Sequence, residues 1–175
     1  MDSSGAAAIV DPSVWLVEMF ASHADSVFNV AYRIVWNRAD AQDVVQDTFI
    51  KAVHRFGQLS DPAKARGWLL AISYREALMV LRRRRDHPTD PSAMPELADA
   101  AGDPATVVVD AELAELIRTA IDKLPDLLRV AFVLRDVEEM AMSDVADTLG
   151  IGLSAAKMRV GRAREHLRVE LSGRI

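Results

Sequence analysis

The chain has no cysteine, which excludes disulfides and thiolate-bound zinc. Its four histidines, His23, His54, His87 and His166, are too scattered to suggest a metal cluster, so neither a metal nor another cofactor is expected. No uncharged stretch approaches the roughly 18 to 20 residues needed to cross a bilayer. The opening MDSSGAAAIV lacks the basic flank of a signal peptide, so a cytoplasmic protein with no membrane insertion of its own is expected. Strand signals are missing too: no segment alternates apolar with polar residues or clusters β-branched ones, and no internal repeat is visible. What is present is helical material. Half of the 175 residues are apolar, enough for one medium domain or two small ones.

A net charge of −5 argues against a generic nucleic-acid coat, but the charge is segregated. Residues 86–110 carry Asp86, Asp90, Glu96, Asp99, Asp103 and Asp110 with no Lys or Arg, a net of −6. Residues 150–175 carry six arginines and lysines against Glu165 and Glu170, a net of +4, and Arg82 to Arg85 form a second basic cluster. Two basic patches separated by an acidic segment point to two nucleic-acid contacts.

Periodicity sets the helices. Val14, Val17, Phe20, Val27, Val30, Ala31 and Ile34 mark a first amphipathic helix from about Val14 to Val35. Asn37 and Arg38 break it. A second helix runs from Asp40 to Phe56 on a stripe of Val44, Val45, Thr48, Phe49, Ala52, Val53 and Phe56. Gly57 to Pro62 is a loop, and a third helix from about Ala63 to Arg85 carries Trp68, Leu69, Ile72, Leu78 and Leu81. From Asp86 to Pro104 four prolines, Gly102 and the acidic bias describe a solvated linker. Helical spacing resumes at Val107 and runs to Leu124. Pro125 suits the first turn of a new helix, which runs from Asp126 to about Asp136, and two short helices follow, Ser143 to Leu149 and Ser154 to Leu171. The expected fold is all-α, with three helices in a first domain and four in a second.

The last two helices read as a helix-turn-helix. Ser143 is the expected N-cap, Val145, Ala146 and Leu149 face inward, Gly150 supplies a left-handed C-cap, Ile151 plugs the corner and Ser154 caps the next helix. Leu153, Ala156, Val160, Ala163 and Leu167 form the buried face. Ser154, Ala155, Met158 and Arg162 lie opposite, with Lys157 and Arg159 on the flanks. In such motifs the start of the second helix meets base edges and basic flanks meet phosphate. Ser154, Ala155 and Met158 are therefore expected at bases, and Lys157, Arg159 and Arg162 at phosphates. The bland alternative is a helical hairpin with a solvated basic face.

In the first domain Asp40, Asp43 and Asp47, at i, i+3 and i+7 beside Gln46, form an acidic-amide face. Read from the residues alone it complements the helix dipole and aids solubility. Nothing beside it supplies a nucleophile or a phosphate-binding loop, so catalysis is not expected. On the third helix Trp68 and Tyr74 are interleaved with Lys64, Arg66, Arg75 and Arg82 to Arg85. Aromatic faces stack on unpaired bases while arginines hold the backbone, a combination suited to single-stranded DNA. Core packing of Trp68 is the competing reading.

From about Phe20 to Leu171 the chain resembles the extracytoplasmic-function sigma factors, two-domain promoter-recognition subunits of bacterial RNA polymerase. DAQDVVQDTFIKAVHRF at Asp40 to Phe56 is similar to that family's polymerase-binding helix. RGWLLAI followed by LRRRR is similar to its −10 element segment, and LPDLLRVAFVLRDVEEMAMSDVADTLGIGLSAAKMRVGRAREHLR to its −35-binding domain. The order and spacing of all three agree. The resemblance implies a disordered tail at 1–12, a sigma-2-like domain at 13–85, an acidic linker at 86–106 and a sigma-4-like domain at 107–175. It implies core RNA polymerase as partner, through the β′ coiled coil and the β flap. Asp40, Asp43, Gln46 and Asp47 would contact that coiled coil, which reverses the bland reading of their face. Arg66, Trp68, Tyr74, Arg75, Arg82 and Arg83 would lie near the melted −10 strand, and the acidic linker would thread toward the active-site cleft. Promoter DNA is the implied ligand, catalysis of its own is not expected, and the resemblance implies an anti-sigma protein as partner, able to hold the chain at a membrane. Ala65, Arg75 and Met79 depart from the family's usual −10 segment, and Ala155, Ala156 and Met158 from its recognition helix. These departures bear on which promoter sequences are read. No further C-terminal regulatory domain is expected.

Overall fold

The computed structural model describes residues 12–59, 61–86 and 104–172, the side chains of 12–13 and 104–110 excepted. Among these residues all regular structure is helical. The first unit holds α1 (Pro12–Val35), α2 (Arg38–His54) and α3 (Ala65–Asp86), and the second α4 (Pro104–Asp122), α5 (Asp126–Phe132), α6 (Met142–Leu149) and α7 (Leu153–Ser172).

The three helices of the first unit pack mutually around Val27, Val30, Ile34, Val44, Leu69 and Leu70, all fully or almost fully buried. Between α1 and α2 the chain turns through Trp36, in the left-handed region at φ 52°. Asn37 then caps α2, its side-chain oxygen accepting the Asp40 N–H at 3.0 Å. At the start of α1 the expected stripe is wrong: Val14, Val17 and Phe20 are 53, 68 and 51% exposed. The inward residue there is Trp15, set edge-on to Phe56 and Trp68. An indole fills that end of the core better than valine, so it sets which face turns inward.

Helix ends also differ from expectation. Pro104 opens α4 three residues ahead of Val107, where a missing N–H has no helical partner to lose. α5 begins at Asp126 as expected, with Pro125 as its N-cap residue, but it ends at Phe132. The chain continues as a wider π turn over Val133–Val137, the Glu138 N–H reaching back to the Val133 carbonyl at 2.9 Å. The linker expected at 86–106 falls largely outside the described residues, as does the tail before Pro12.

The two units share one hydrophobic core. Val130, Val133, Leu134, Val145 and Ala156 of the second are continuous with Leu69, Leu70 and Ile72 of the first. At the other end of the seam Trp36 packs against the cluster of Ala120, Ile121, Leu124, Ala163 and Leu167, with the Arg118 guanidinium 5.9 Å from its ring. Arg129, 5% exposed, donates to the Ile34 carbonyl at 2.9 Å and the Leu124 carbonyl at 3.3 Å, and also to the Asp122 carbonyl. One guanidinium thus closes the C-terminal ends of α1 and α4 together.

Candidate nucleic-acid and polymerase interfaces

The helix-turn-helix forms, with different caps. Gly150 sits at φ 65°, ψ 38°, its N–H on the Asp147 carbonyl at 3.1 Å, and the Ile151 N–H returns to Ala146 at 3.0 Å. This is the left-handed closure that a residue without Cβ adopts freely. Ser143 is not the N-cap of α6: Ala141 occupies that place without a side-chain bond. Ser154 is not the cap of α7 either, because the helix already begins at Leu153 and the Ala156 N–H bonds to the Gly152 carbonyl at 3.0 Å. Leu153, expected inside, is 46% exposed, so the buried stripe is Ala156, Val160, Ala163 and Leu167.

On the opposite face Ser154, Lys157, Met158 and Arg162 are exposed, while Ala155 and Arg159 are half-buried. Lys157, Arg159 and Arg162 join no ion pair among the described residues, which leaves their charge for an external anion. Arg164, by contrast, is committed to Asp136 at 2.5 and 3.2 Å, a hydrogen-bonded pairing that raises its guanidinium above its ordinary value.

On α2 the acidic-amide residues divide. Asp43, Gln46 and Asp47 are exposed, whereas Asp40 is half-buried and ion-paired to Arg84. One turn beyond Asp47 on the same face lies Ile50, 56% exposed, and beside it Phe20 leans on Phe49 with ring centroids 4.9 Å apart. The sequence reading missed Ile50, although its spacing from Asp43, Gln46 and Asp47 places an apolar residue on a polar face.

Of the residues predicted on α3, Arg66, Trp68 and Arg75 line one cleft, whereas Tyr74 is buried and Arg82 and Arg83 lie outside it. Tyr74 is 8% exposed and belongs to the core, so it offers no open ring for stacking; Trp68 is half-buried with its centroid 6.2 Å from that of Trp15. Their helical spacing placed them inward, where aromatic area is most stabilising. Arg75 is exposed with its guanidinium 5.4 Å from the Tyr74 ring, and Arg82 and Arg83 are exposed near the helix end. Arg66 points to the seam and pairs with Glu138 at 2.7 Å. His23, beside Arg66, is held below its ordinary pKa first by burial and then by that positive charge.

Between α3 and the helix-turn-helix opens a cleft of about 850 Å³. Lys64, Arg66 and Arg75 line it from the first unit, Asp144, Asp147 and Thr148 from the second. Among the described residues no helix is long and apolar enough to span a membrane, and no group of three or more His, Asp or Glu is placed to hold a metal ion.

Comparison with known proteins matches these two units separately. Residues 19–87 fit the Sigma-70 region 2 family and residues 114–167 the Sigma-70 region 4 family. The RNA polymerase sigma factor CarQ of Myxococcus xanthus is 33% identical over 90% of this chain and 89% of its own length. The ECF RNA polymerase sigma factor SigE of Mycolicibacterium smegmatis is 35% identical over 86% of this chain, which spans 59% of that relative's length. Among solved structures, CnrH in complex with the cytosolic domain of CnrY superposes with a TM-score of 0.70 at 26% identity, covering 93% of this chain and 91% of that one. The Bartonella quintana sigma factor RpoE, in complex with the anti-sigma factor NepR, shares the fold at a TM-score of 0.70 and 21% identity, over 91% of this chain and 98% of its own. A region-2 helical unit followed by a region-4 helix-turn-helix defines a sigma-70-type initiation subunit. The chain belongs to the extracytoplasmic-function group of that family.

Proposed function

We propose that this protein is an alternative sigma factor that binds core RNA polymerase and directs promoter-specific initiation, with no catalysis of its own. The observation that carries the reading is the joining, in one chain, of a region-2 unit and a region-4 helix-turn-helix with an exposed, uncommitted basic face. Ser154, Ala155 and Met158 read −35 base edges, and Lys157, Arg159 and Arg162 hold phosphates on either side. The −10 strand is engaged by α3 through Arg66, Trp68, Arg75, Arg82 and Arg83, with the buried Tyr74 supporting that surface from the core rather than stacking on bases. Asp43, Gln46 and Asp47 meet the β′ coiled coil, and region 4 meets the β flap.

The protein works in the cytoplasm, and its release is controlled by an anti-sigma partner. Support for that partner comes from CnrH, captured with CnrY, and from the Bartonella factor captured with NepR. Reconstitution with core polymerase tests the whole reading: promoter-dependent transcripts are expected only when both are present. A protein that binds duplex DNA tightly and adds nothing to core polymerase is a conventional regulator instead.

A further inference from the structure

The outward line of α7 offers a duplex very few hydrogen bonds. Ser154, Met158, Gly161 and Glu165 follow one another at i, i+4, i+7 and i+11, opposite the buried Ala156, Val160, Ala163 and Leu167. Ser154 carries only a hydroxyl and Gly161 no side chain, while the Glu165 carboxylate accepts two hydrogen bonds from Arg168 at 2.5 and 3.0 Å. Ala155, beside the line, adds a methyl group. No asparagine, glutamine or arginine therefore stands on this line to make the paired hydrogen bonds by which adenine and guanine are read in the major groove. What the line does present is Met158, 53% exposed and its one large apolar side chain ahead of Glu165.

Gly161 adds a second observation. A Cβ there would meet nothing within 4 Å, so packing within the protein does not call for the gap, and glycine inside a helix is less stable than alanine. One turn beyond Met158, the missing side chain lets the backbone of α7 settle deeper and carries the Met158 thioether onto the base edges. Lys157, Arg159 and Arg162, in no ion pair among the described residues, flank the line with positive charge for the phosphates on either side.

We infer that Met158 reads the −35 duplex through apolar contact with thymine C5-methyl groups, the apolar mark that the major groove displays, and that Gly161 is the clearance that lets it arrive. The inference rests on the reading of α7 as the −35 helix and names the chemistry that helix recognises. A methyl group sits on one strand of an A·T pair, so the contact distinguishes A·T from T·A as well as from G·C. The rival reader is Arg162, whose free guanidinium would select guanine instead.

The test uses the holoenzyme, this chain with core RNA polymerase. Duplexes are selected from a randomised pool, and the enriched ones are remade with deoxyuridine for thymidine in the upstream element alone, which deletes the C5-methyl and leaves base pairing intact. Each methyl in contact is expected to be worth about fourfold in affinity. Met158→Ala should bind the thymine and uracil duplexes alike, within about twofold, whereas Met158→Leu, of similar volume, should keep the difference. Both variants should fold as the parent does, because the side chain is exposed. Equal binding of the two duplexes by the parent overturns the inference. So does an undiminished uracil penalty in Met158→Ala, or an upstream element in which guanine alone is fixed. Enrichment of no upstream element removes the −35 reading of α7 itself, and the methyl contact with it. Gly161→Ala gives an arm independent of Met158: it should raise the melting temperature yet weaken binding of the selected duplex about threefold or more, and a raised melting temperature with unchanged binding overturns the role given to Gly161.

Discussion

Replacing Arg129 by methionine keeps most of the side-chain volume and removes one guanidinium from the seam. That group is 5% exposed and serves the carbonyls of Ile34, Asp122 and Leu124. Each buried acceptor left without a donor costs about 1–3 kcal/mol. The accompanying contact to the Asp122 carboxylate, at 3.3 Å, adds little because that carboxylate is 55% exposed and screened. Against the loss stands relief of burying a cation: burial pulls the Arg129 guanidinium below its ordinary value, opposed by Asp122 and Asp126 and reinforced by Arg85. Its Nε is also buried without a partner. The net expectation is therefore near the low end for three acceptors, about 3 kcal/mol of destabilisation. Urea unfolding measures it directly, and the melting temperature should fall by about 6–12 °C for a chain of this size. A change below about 1 kcal/mol would refute the assignment of Arg129 as the clasp of α1 and α4.

Reversing charge at Asp43→Lys and Asp47→Lys together should weaken core-polymerase binding about tenfold, ~1.4 kcal/mol, with circular dichroism and the urea midpoint unchanged because both side chains are exposed; unaltered affinity removes the face from the interface. Gly150→Val should cost about 1–2 kcal/mol in thermal unfolding, since a β-branched residue is forced to positive φ. No atom lies within 4 Å of the added Cβ, so the cost is conformational, and Gly150→Asn should recover much of it. His23, depressed by burial and by Arg66, binds its proton more readily unfolded than folded. Stability should therefore be complete above the ordinary histidine pKa and decline as pH falls through it, and His23→Gln should flatten that decline in pH-dependent urea titrations.

The helix count, the helix-turn-helix and the two basic regions were legible from the chain alone, because each depends on neighbours three or four residues apart. Gly150 is the clearest instance: its place between two short amphipathic runs announced a left-handed turn, and φ 65° is what the structure has. Helix starts were less legible, since Ser143 and Ser154 look like caps while the chain begins α6 and α7 one residue earlier. Tertiary packing alone decided the rest. Competition for a limited core turned Trp15 inward and left Val14, Val17 and Phe20 outside, and drew Tyr74 away from solvent. No local pattern relates Arg66 to Glu138 or Arg129 to Ile34, residues 72 and 95 positions apart. Such pairings arise only when two separately helical units settle on a common core, so the chain declared its DNA-binding parts, and the fold decided which of them faces solvent.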